Sequence, residues 1–285
     1  MRTTSKSNTD QVVLITGAST GIGYATAIYL CKIGMKVYAG IRKESDKQKL
    51  ISEGPSSLTP VFLDVCDQDS ISKSFDLIAK EIGDCSFNLI NNAGLSLNGP
   101  LEILPMSDII RLLDVNVRGL LSVTKTFLPL IRKNKGRIVN ISSGHGLLAV
   151  PDKSVYAASK FAVNAISDSL RVELRPFGVM VSSIVVGKVN TKVLDKILVD
   201  RKKMLDQTPP EITNLYLNLI EYFDREVKNI PGIEAIEVAK VIAESLSNPK
   251  PKVQYLVGPG AKKMKMLACF PTRMRDNMML KAINK

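Results

Sequence analysis

The chain has 285 residues, of which 45% are hydrophobic, enough to bury one large core. Its formal charge of +12 comes without a zinc-finger spacing, an aromatic-basic RNA motif or any Trp, which argues against a nucleic-acid partner. No run approaches the roughly 18 apolar residues of a membrane span, and the first residues are polar, so we expect a cytoplasmic or membrane-peripheral protein.

The sequence offers few ligands for a metal ion. His145 is the single histidine, and the cysteines form no CxxC pair. We therefore expect reduced, structural thiols and no metal site. The four cysteines are Cys31, Cys66, Cys85 and Cys269.

Strands and helices alternate along most of the chain. Short apolar runs predict strands at Gln11–Thr16, Met35–Ile41, Leu58–Leu63, Phe87–Asn91, Arg137–Ile141, Val179–Val186 and Val253–Val257. Helices are predicted at Gly21–Ile33, Ser70–Ile82, Ser107–Arg132, Ser154–Leu174 and Glu234–Leu246. This order predicts an α/β fold with a doubly wound parallel sheet of the Rossmann type, whose ligand lies beyond the carboxyl ends of the strands.

Two segments depart from the alternation. Residues 190–232 contain Pro209, Pro210 and Pro231, and we interpret them as a helical insertion that acts as a lid over the site. Residues 259–285 mix basic and apolar side chains, which could lie on an anionic membrane surface or pack on the lid or on a partner subunit. Because there is no repeat or linker, we predict one domain over residues 1–285.

A glycine-rich turn joins the first strand to its helix. Thr16–Gly23 reads TGASTGIG, and glycines at a helix N-terminus suit a pyrophosphate, although the spacing is not GxGxxG and a plain tight turn is the alternative. Asn91–Gly94 reads NNAG at the end of the fourth strand. Its small residues would let a dinucleotide lie against the sheet edge, and its Asn side chains could brace neighbouring strands.

The end of the second strand bears on the choice of cofactor. NAD-binding proteins place a carboxylate there, whereas this chain has Arg42 and Lys43 and no acid before Glu44. Two cations would neutralise a 2′-phosphate, which favours NADP(H) over NAD(H). The alternative is that both are ordinary surface cations.

Three residues suit proton transfer. Tyr156 and Lys160 lie four residues apart in a predicted helix, so their side chains share one face. A cation beside a phenol, together with an oxidised nicotinamide, should move the pKa of Tyr156 below its ordinary value of about 10. Ser143 ends the fifth strand, where its hydroxyl could donate to a substrate oxygen or merely cap the backbone.

TGxxxGIG, NNAG and YxxxK, in this order over residues 11–190, resemble the short-chain dehydrogenase/reductase family. Within it, Tyr38–Arg42, Val155–Ala162 and Tyr255–Pro259 resemble the 17β-hydroxysteroid and retinol dehydrogenases. The resemblance implies Tyr156 as the proton-transfer residue, with Lys160, Ser143 and Asn116 beside it. It also implies a cofactor site made of Gly17, Ser19, Thr20, Gly21, Ile22, Gly23, Arg42, Lys43, Asp64, Val65, Asn92, Ala93, Gly94, Tyr156, Lys160, Gly187 and Thr191.

Particular roles follow from the same resemblance. Asp64 would contact the adenine ring, Lys160 the nicotinamide ribose and Thr191 the carboxamide, while Asn116 would hold a water that relays protons through Lys160. A purely structural role for Asn116 stays open, since a polar residue in an apolar helix needs a partner in any case. The family's proline after the sixth strand is replaced by Val186.

Together these features predict hydride transfer between NADP(H) and an apolar, steroid-like or retinoid-like alcohol or carbonyl compound, in a homodimer or homotetramer. The alternatives are an NAD-dependent dehydrogenase of other lipid alcohols, a non-catalytic dinucleotide sensor on the same fold, and a charge-driven nucleic-acid or membrane binder. Intact Ser143, Tyr156 and Lys160 argue against the sensor, which has no need of all three.

Overall fold

The computed structural model describes residues 11–191 and 193–284. Seven strands form one parallel sheet: β1 (Gln11–Ile15), β2 (Lys36–Ile41), β3 (Leu58–Phe62), β4 (Ser86–Asn91), β5 (Arg137–Ser143), β6 (Met180–Val186) and β9 (Gln254–Val257). Their spatial order is β3-β2-β1-β4-β5-β6-β9, so the chain reverses direction across the sheet between β1 and β4. The predicted doubly wound fold is confirmed, and the crevice beyond β1 and β4 is where such a sheet binds ligands.

Helices cover both faces of the sheet. They are α1 (Gly21–Lys32), α2 (Glu44–Glu53), α3 (Gln68–Glu81), α4 (Met106–Leu113), α5 (Leu120–Lys133), α6 (Ser154–Glu173) and α10 (Ala235–Ser247). Every residue of β1 is buried, which explains its continuous apolar run, because a central parallel strand is covered on both sides. Two apolar layers fill the space between sheet and helices, one containing Val13 and Val238, the other Leu14 and Phe127.

Two elements differ from the sequence prediction. Helix α2 was not predicted. Leu50 is its single buried residue, so its sequence lacks the periodic apolar residues from which a helix is predicted. The predicted helix Ser107–Arg132 is interrupted between α4 and α5 by a π-helical turn, Asp114–Gly119. Such turns are found at functional sites.

The insertion predicted at 190–232 is helical, as expected. It consists of α7 (Val193–Asp206), α8 (Pro210–Leu215) and α9 (Leu217–Asn229). At its base β7 (Val189–Asn190) pairs in parallel with β8 (Ile233–Glu234). This pairing was not predicted, because strands of two residues are too short to give a recognisable sequence pattern. Met204 and Ile220 bury themselves with Val155 and Leu104 in a third apolar cluster.

The C-terminal segment lies against the rest of the molecule in two helices. Helix α11 (Pro259–Leu267) contacts β6 and the turn after β5, and α12 (Thr272–Ile283) contacts α9. Pro271 separates them, because proline begins a helix readily but does not continue one. Among the described residues no helix is long and apolar enough to cross a membrane, and all four cysteines are free thiols.

Candidate active site

The glycine turn forms a close-fitting backbone loop at the crevice. Gly17 and Gly21 have φ of +66° and +58°, which side-chain-bearing residues rarely adopt. A Cβ on Gly17 would lie 2.9 Å from Ala93 Cα, and one on Gly23 would lie 2.3 Å from Gly17 O. Helix α1 begins at Gly21, directly behind this loop, so its free N–H groups and positive dipole end point to the position of an anion.

The NNAG segment braces the glycine turn. Asn92 Nδ2 donates to Thr16 O and Gly17 O, both at 2.9 Å. In return, Thr16 Oγ1 accepts from the backbone N–H groups of Asn92 and Ala93, both at 3.0 Å. The bracing expected from the Asn side chains is therefore present, and Asn91 adds to it by donating to Asn140 Oδ1 across β4 and β5 at 2.8 Å.

A cleft of about 390 Å³ extends the crevice past the end of β2. Arg42 and Asp64, which the sequence suggested for the adenosine end of a dinucleotide, both line it, and so does Arg111 of α4, which the sequence analysis did not single out. Asp64 is fixed because its Oδ1 accepts from Cys66 N at 2.9 Å. Arg42 and Lys43 are exposed, and neither has an ion pair with any described residue.

Tyr156 and Lys160 stand together near the N-terminal end of α6. Lys160 Nζ lies 5.9 Å from the centroid of the Tyr156 ring and donates to Ile141 O of β5 at 2.9 Å. Burial lowers the pKa of Lys160 to about 8. Ser159, between them in sequence, is fully buried and donates to Tyr156 O at 2.7 Å.

The ionisation of Tyr156 differs from the sequence prediction. Burial raises the pKa of Tyr156, and a hydrogen bond from the Ser143 hydroxyl offsets that rise only in part. The prediction of a lowered pKa was wrong for the protein without cofactor, because desolvation penalises the phenolate. The phenol is therefore protonated at neutral pH, the form that can protonate a carbonyl oxygen.

Ser143, the last residue of β5, and His145, in the turn that follows, complete the site. Ser143 Oγ accepts from His145 N at 3.3 Å, and the His145 ring meets Tyr156 edge to face with ring centroids 5.8 Å apart. Burial lowers the pKa of His145 to about 3, so the imidazole is neutral at working pH. A Cβ on Gly144 would lie 2.6 Å from Met264 Sδ, which brings α11 directly onto this turn.

Asn116 lies in the π-helical turn with its amide fully engaged. Its Oδ1 accepts from Leu95 N at 2.7 Å, while Nδ2 donates to Leu95 O at 2.9 Å and to Ser159 Oγ at 3.0 Å. A Cβ on Gly94 would lie 3.4 Å from Asn116 Oδ1 and 3.6 Å from Lys160 Nζ. Asn116 thus has the structural partners that any buried amide requires, next to Lys160.

The segment after β6 brings the last predicted residues to the crevice. Gly187 N donates to Val257 O at 2.9 Å, which ties this loop to β9 despite the missing proline. Thr191 Cγ2 lies 3.6 Å from the Cβ position of Gly21. The loop after β6 therefore meets the glycine turn, so the structure brings the residues predicted at the ends of six strands to one edge of the sheet.

These features fit a dinucleotide. The glycine turn excludes side chains and has a helix N-terminus behind it, which matches a pyrophosphate. The cations at the far end of the crevice lie where the adenosine end of a dinucleotide would be. Tyr156, Ser143 and Lys160 lie at the other end, so the groups able to move a proton are separated from those able to hold an anion.

Comparison with known proteins agrees with this geometry. The family model described as short chain dehydrogenase matches residues 11–202. The chain is 36% identical over 258 residues to 3-amino-tetrahydro-pyrrolizinone reductase of Xenorhabdus hominickii, covering 89% of each protein. It is 35% identical to human 17-beta-hydroxysteroid dehydrogenase type 1 (86% of this chain, 76% of that protein) and 32% identical to mouse retinol dehydrogenase 7 (95% and 88%).

Solved structures share the fold. A short chain dehydrogenase from Burkholderia cenocepacia in complex with NADP superposes with a TM-score of 0.74 at 23% identity, covering 94% of this chain and 97% of that one. Since the family model spans more than half of its residues, the chain belongs to the short-chain dehydrogenase family and is an NAD(P)-dependent oxidoreductase that acts on alcohol and carbonyl groups.

Proposed function

We propose that this oxidoreductase interconverts bulky, apolar alcohols and carbonyl compounds, steroid-like or retinoid-like, with NADP(H) as cofactor. The observation that carries the proposal is the position of Tyr156. Its ring belongs to the apolar cluster built by Val155, Leu104 and Met204, while its hydroxyl is hydrogen-bonded to Ser143. An apolar wall beside a proton donor suits a substrate whose polar group is the reacting one.

Each polar group has a role in this scheme. When bound, the nicotinamide supplies the hydride for reduction or accepts it in oxidation. Tyr156 donates its phenolic proton to the carbonyl oxygen and takes a proton back in oxidation, while Ser143 donates a hydrogen bond to the same oxygen. Lys160 would hold the nicotinamide ribose. Because Leu95 and Ser159 occupy the side-chain amide of Asn116, the proton-relaying water beside Lys160 would be held by Asn116 through its backbone. Gly17, Gly21 and Gly23 hold the pyrophosphate.

The preference for NADP(H) is supported by exposed cations in the 390 Å³ cleft. Arg42 and Arg111 line the cleft without an ion pair to any described residue. Arg42→Asp should weaken NADPH binding at least about tenfold and leave NADH unchanged or tighter, since a 2′-phosphate then meets a carboxylate. Tighter binding of NADH than of NADPH by the unaltered protein would contradict this preference.

The substrate class is supported by the relatives and by the insertion. Human 17-beta-hydroxysteroid dehydrogenase type 1 and mouse retinol dehydrogenase 7 are named for bulky, apolar alcohols. Met204 of α7 and Ile220 of α9 are buried, whereas Leu198 and Leu215 of the insertion are 37% and 73% exposed. The wall therefore comes from one face of α7 and α9.

An absorbance assay tests the proposal. NADPH and NADH consumption would be followed with steroids, retinoids and aliphatic carbonyl compounds, with Tyr156→Phe as the matched control. The proposal is supported if the unaltered protein turns over apolar ketones or aldehydes and Tyr156→Phe does not. Turnover restricted to small polar carbonyl compounds, or none with any compound, contradicts it.

The assembly that we propose is a homodimer or homotetramer formed through α5 and α6. Leu121 on α5 and Phe161 on α6 are 44% and 43% exposed, and such apolar side chains on neighbouring helices favour an interface. Light scattering after gel filtration should give a molar mass two or four times the 31.2 kDa of one chain. Leu121→Glu with Phe161→Glu should reduce it to the monomer, and a monomeric unaltered protein would refute the assembly.

We propose further that the C-terminal helices contact an anionic membrane surface, with the protein otherwise cytoplasmic. Lys262, Lys263 and Lys265 are exposed on α11 beside Met266, which is 60% exposed. Such a mixed surface suits lipid headgroups. Flotation with anionic vesicles should carry the protein upward, less so after replacement of the three lysines by Gln; no flotation of the unaltered protein would refute this contact.

A further inference from the structure

A buried ion pair joins the insertion to the turn before the catalytic helix. Arg201 of α7 donates through Nη1 to both carboxylate oxygens of Asp152, at 2.9 and 2.7 Å. The two side chains are 5% and 1% exposed. Asp224 of α9 adds a second carboxylate, with Oδ1 3.1 Å from Arg201 Nε. Buried charges persist only when they are paired, so this contact fixes the positions of both partners.

Asp152 also holds a second segment of the substrate wall. Its backbone carbonyl accepts from Gly99 N at 2.9 Å. Its φ is +66°, a conformation that few residues other than Gly, Asn and Asp adopt. Because Tyr156 follows four residues later, near the start of α6, the residue that anchors α7 also shapes the approach to the catalytic helix.

Met204 provides a second contact one helical turn after Arg201. A Cβ on Gly99 would lie 2.8 Å from Met204 Cε and 2.9 Å from Leu104 Cδ2, so Met204 and Leu104 together occupy the space above that glycine. Met204 is 8% exposed and shares an apolar cluster with Tyr156 and Val155. Arg201 and Met204 therefore bind one face of α7 to the wall beside Tyr156.

We propose that Arg201 and Asp152 are positioning residues for the substrate, holding α7 so that Met204 completes the apolar wall next to Tyr156. This inference rests on the proposed function. Within the described residues, neither member of the pair has a hydrogen bond or ion pair with the glycine turn. Loss of the pair therefore affects the substrate and spares the cofactor.

Two variants displace α7 by independent routes. Arg201→Met removes the ion pair, and we expect the KM of the best substrate from the carbonyl panel to rise at least about tenfold, with the Kd of NADPH changing less than about twofold. Gly99→Ala leaves both charges in place and pushes aside Met204 together with Leu104 of the same apolar cluster. Because the Met204 terminus is flexible, the expected rise in KM is smaller, about threefold.

Three further measurements keep the test decisive. Lys202→Gln is the matched control, since its ion pair with Asp206 on the same helix is exposed, and it should leave KM and Kd unchanged. Arg201→Met strands a buried carboxylate and can fail to fold, so Asp152→Asn/Arg201→Met is measured beside it, because it removes both charges and Asn tolerates the positive φ at position 152. Hydrogen exchange of the α7 amides reports the position of the helix without any substrate.

The proposal is supported if Gly99→Ala and the folded ion-pair variants raise KM, spare Kd and speed exchange in α7 but not in the glycine turn. It is overturned if they lower the melting temperature with KM and α7 exchange unchanged, or if Kd and KM rise equally. If the unaltered protein turns over no panel compound, the proposed function fails, and exchange in α7 alone then decides whether the pair holds the insertion.

Discussion

At the scale of single residues, burial governs the ionisation of the site. Lys160 is buried, its Nζ donates to Ile141 O, and its pKa falls to about 8. The charged form is therefore present below about pH 8 and is lost as the pH rises. When Lys160 loses its charge above about pH 8, the nicotinamide ribose and the phosphates of a bound cofactor lose an electrostatic partner.

We predict that the Kd of NADPH is constant between about pH 7 and pH 8 and increases above it, by up to about tenfold per pH unit. Lys160→Met should bind NADPH more weakly and without this dependence. Fluorescence titration of NADPH across the pH range measures both. The same increase in Lys160→Met would show that another group is responsible.

His145 is the only histidine of the chain, which makes its ionisation directly observable. Burial lowers its pKa to about 3, so we predict that its imidazole NMR signals stay constant between about pH 5 and pH 8. His145→Phe, which preserves ring packing on Tyr156, should leave the shape of the kcat/KM profile unchanged over this range. A titration midpoint near 6.5 would contradict the neutral imidazole.

Sequence reasoning found some of these residues and missed others for a physical reason. Tyr156 and Lys160 share one face of a predicted helix and Ser143 ends a predicted strand, and the resemblance to the short-chain dehydrogenase/reductase family singled these residues out. Arg201 and Asp152 are 49 residues apart and follow no local pattern, so only the folded chain reveals their contact. The raised pKa of Tyr156 was missed because desolvation depends on the packed environment.

At the scale of elements, the glycine turn and the NNAG segment act as one unit. Gly17→Ala would combine a φ of +66° with a Cβ 2.9 Å from Ala93 Cα. We predict that it raises the Kd of NADPH at least about tenfold and lowers the melting temperature by several degrees. Here the neighbour is backbone, which cannot move aside cheaply.

Gly83 offers a matched control for this substitution. It also has a positive φ, +57°, but a Cβ there would meet nothing within 4 Å. Gly83→Ala should therefore cost only the backbone strain and leave the Kd of NADPH unchanged. Equal effects of the two variants on Kd would show that the close approach of Gly17 to Ala93 is unimportant.

The predicted elements show which patterns are readable. β1 has a continuous apolar run and α3 a clear amphipathic period, and both were predicted close to their observed bounds. The π-helical turn at Asp114–Gly119 was not, because a single π-helical turn inside a helix has no residue pattern of its own by which to recognise it. The β7–β8 pair closes the insertion through two residues on each side, too few for an alternating pattern.

At the scale of the whole molecule, the fold class was predictable because the strand-helix order alone requires a parallel sheet covered on both faces. The position of the C-terminal helices was not, since they contact the turn after β5 and α9 through tertiary packing. Met264 against Gly144 makes the last part of the chain a neighbour of the site.

The net charge of +12 has a consequence for binding that belongs to the whole chain. A cationic protein attracts an anionic cofactor over a distance that salt shortens. We predict that the Kd of NADPH rises several-fold from about 0.02 M to about 0.5 M NaCl, and that the Kd of NADH rises less, since NADH lacks the 2′-phosphate. Equal salt dependence of both would remove the support for NADP(H).

The central claim is that Tyr156 transfers the proton at a site where a dinucleotide is held independently by the glycine turn. Stopped-flow turnover and NADPH titration of Tyr156→Phe measure the two halves together. We predict that kcat falls at least about a thousandfold while the Kd of NADPH stays within about twofold. A variant that retains most of the turnover, or that loses NADPH binding with it, would contradict the account.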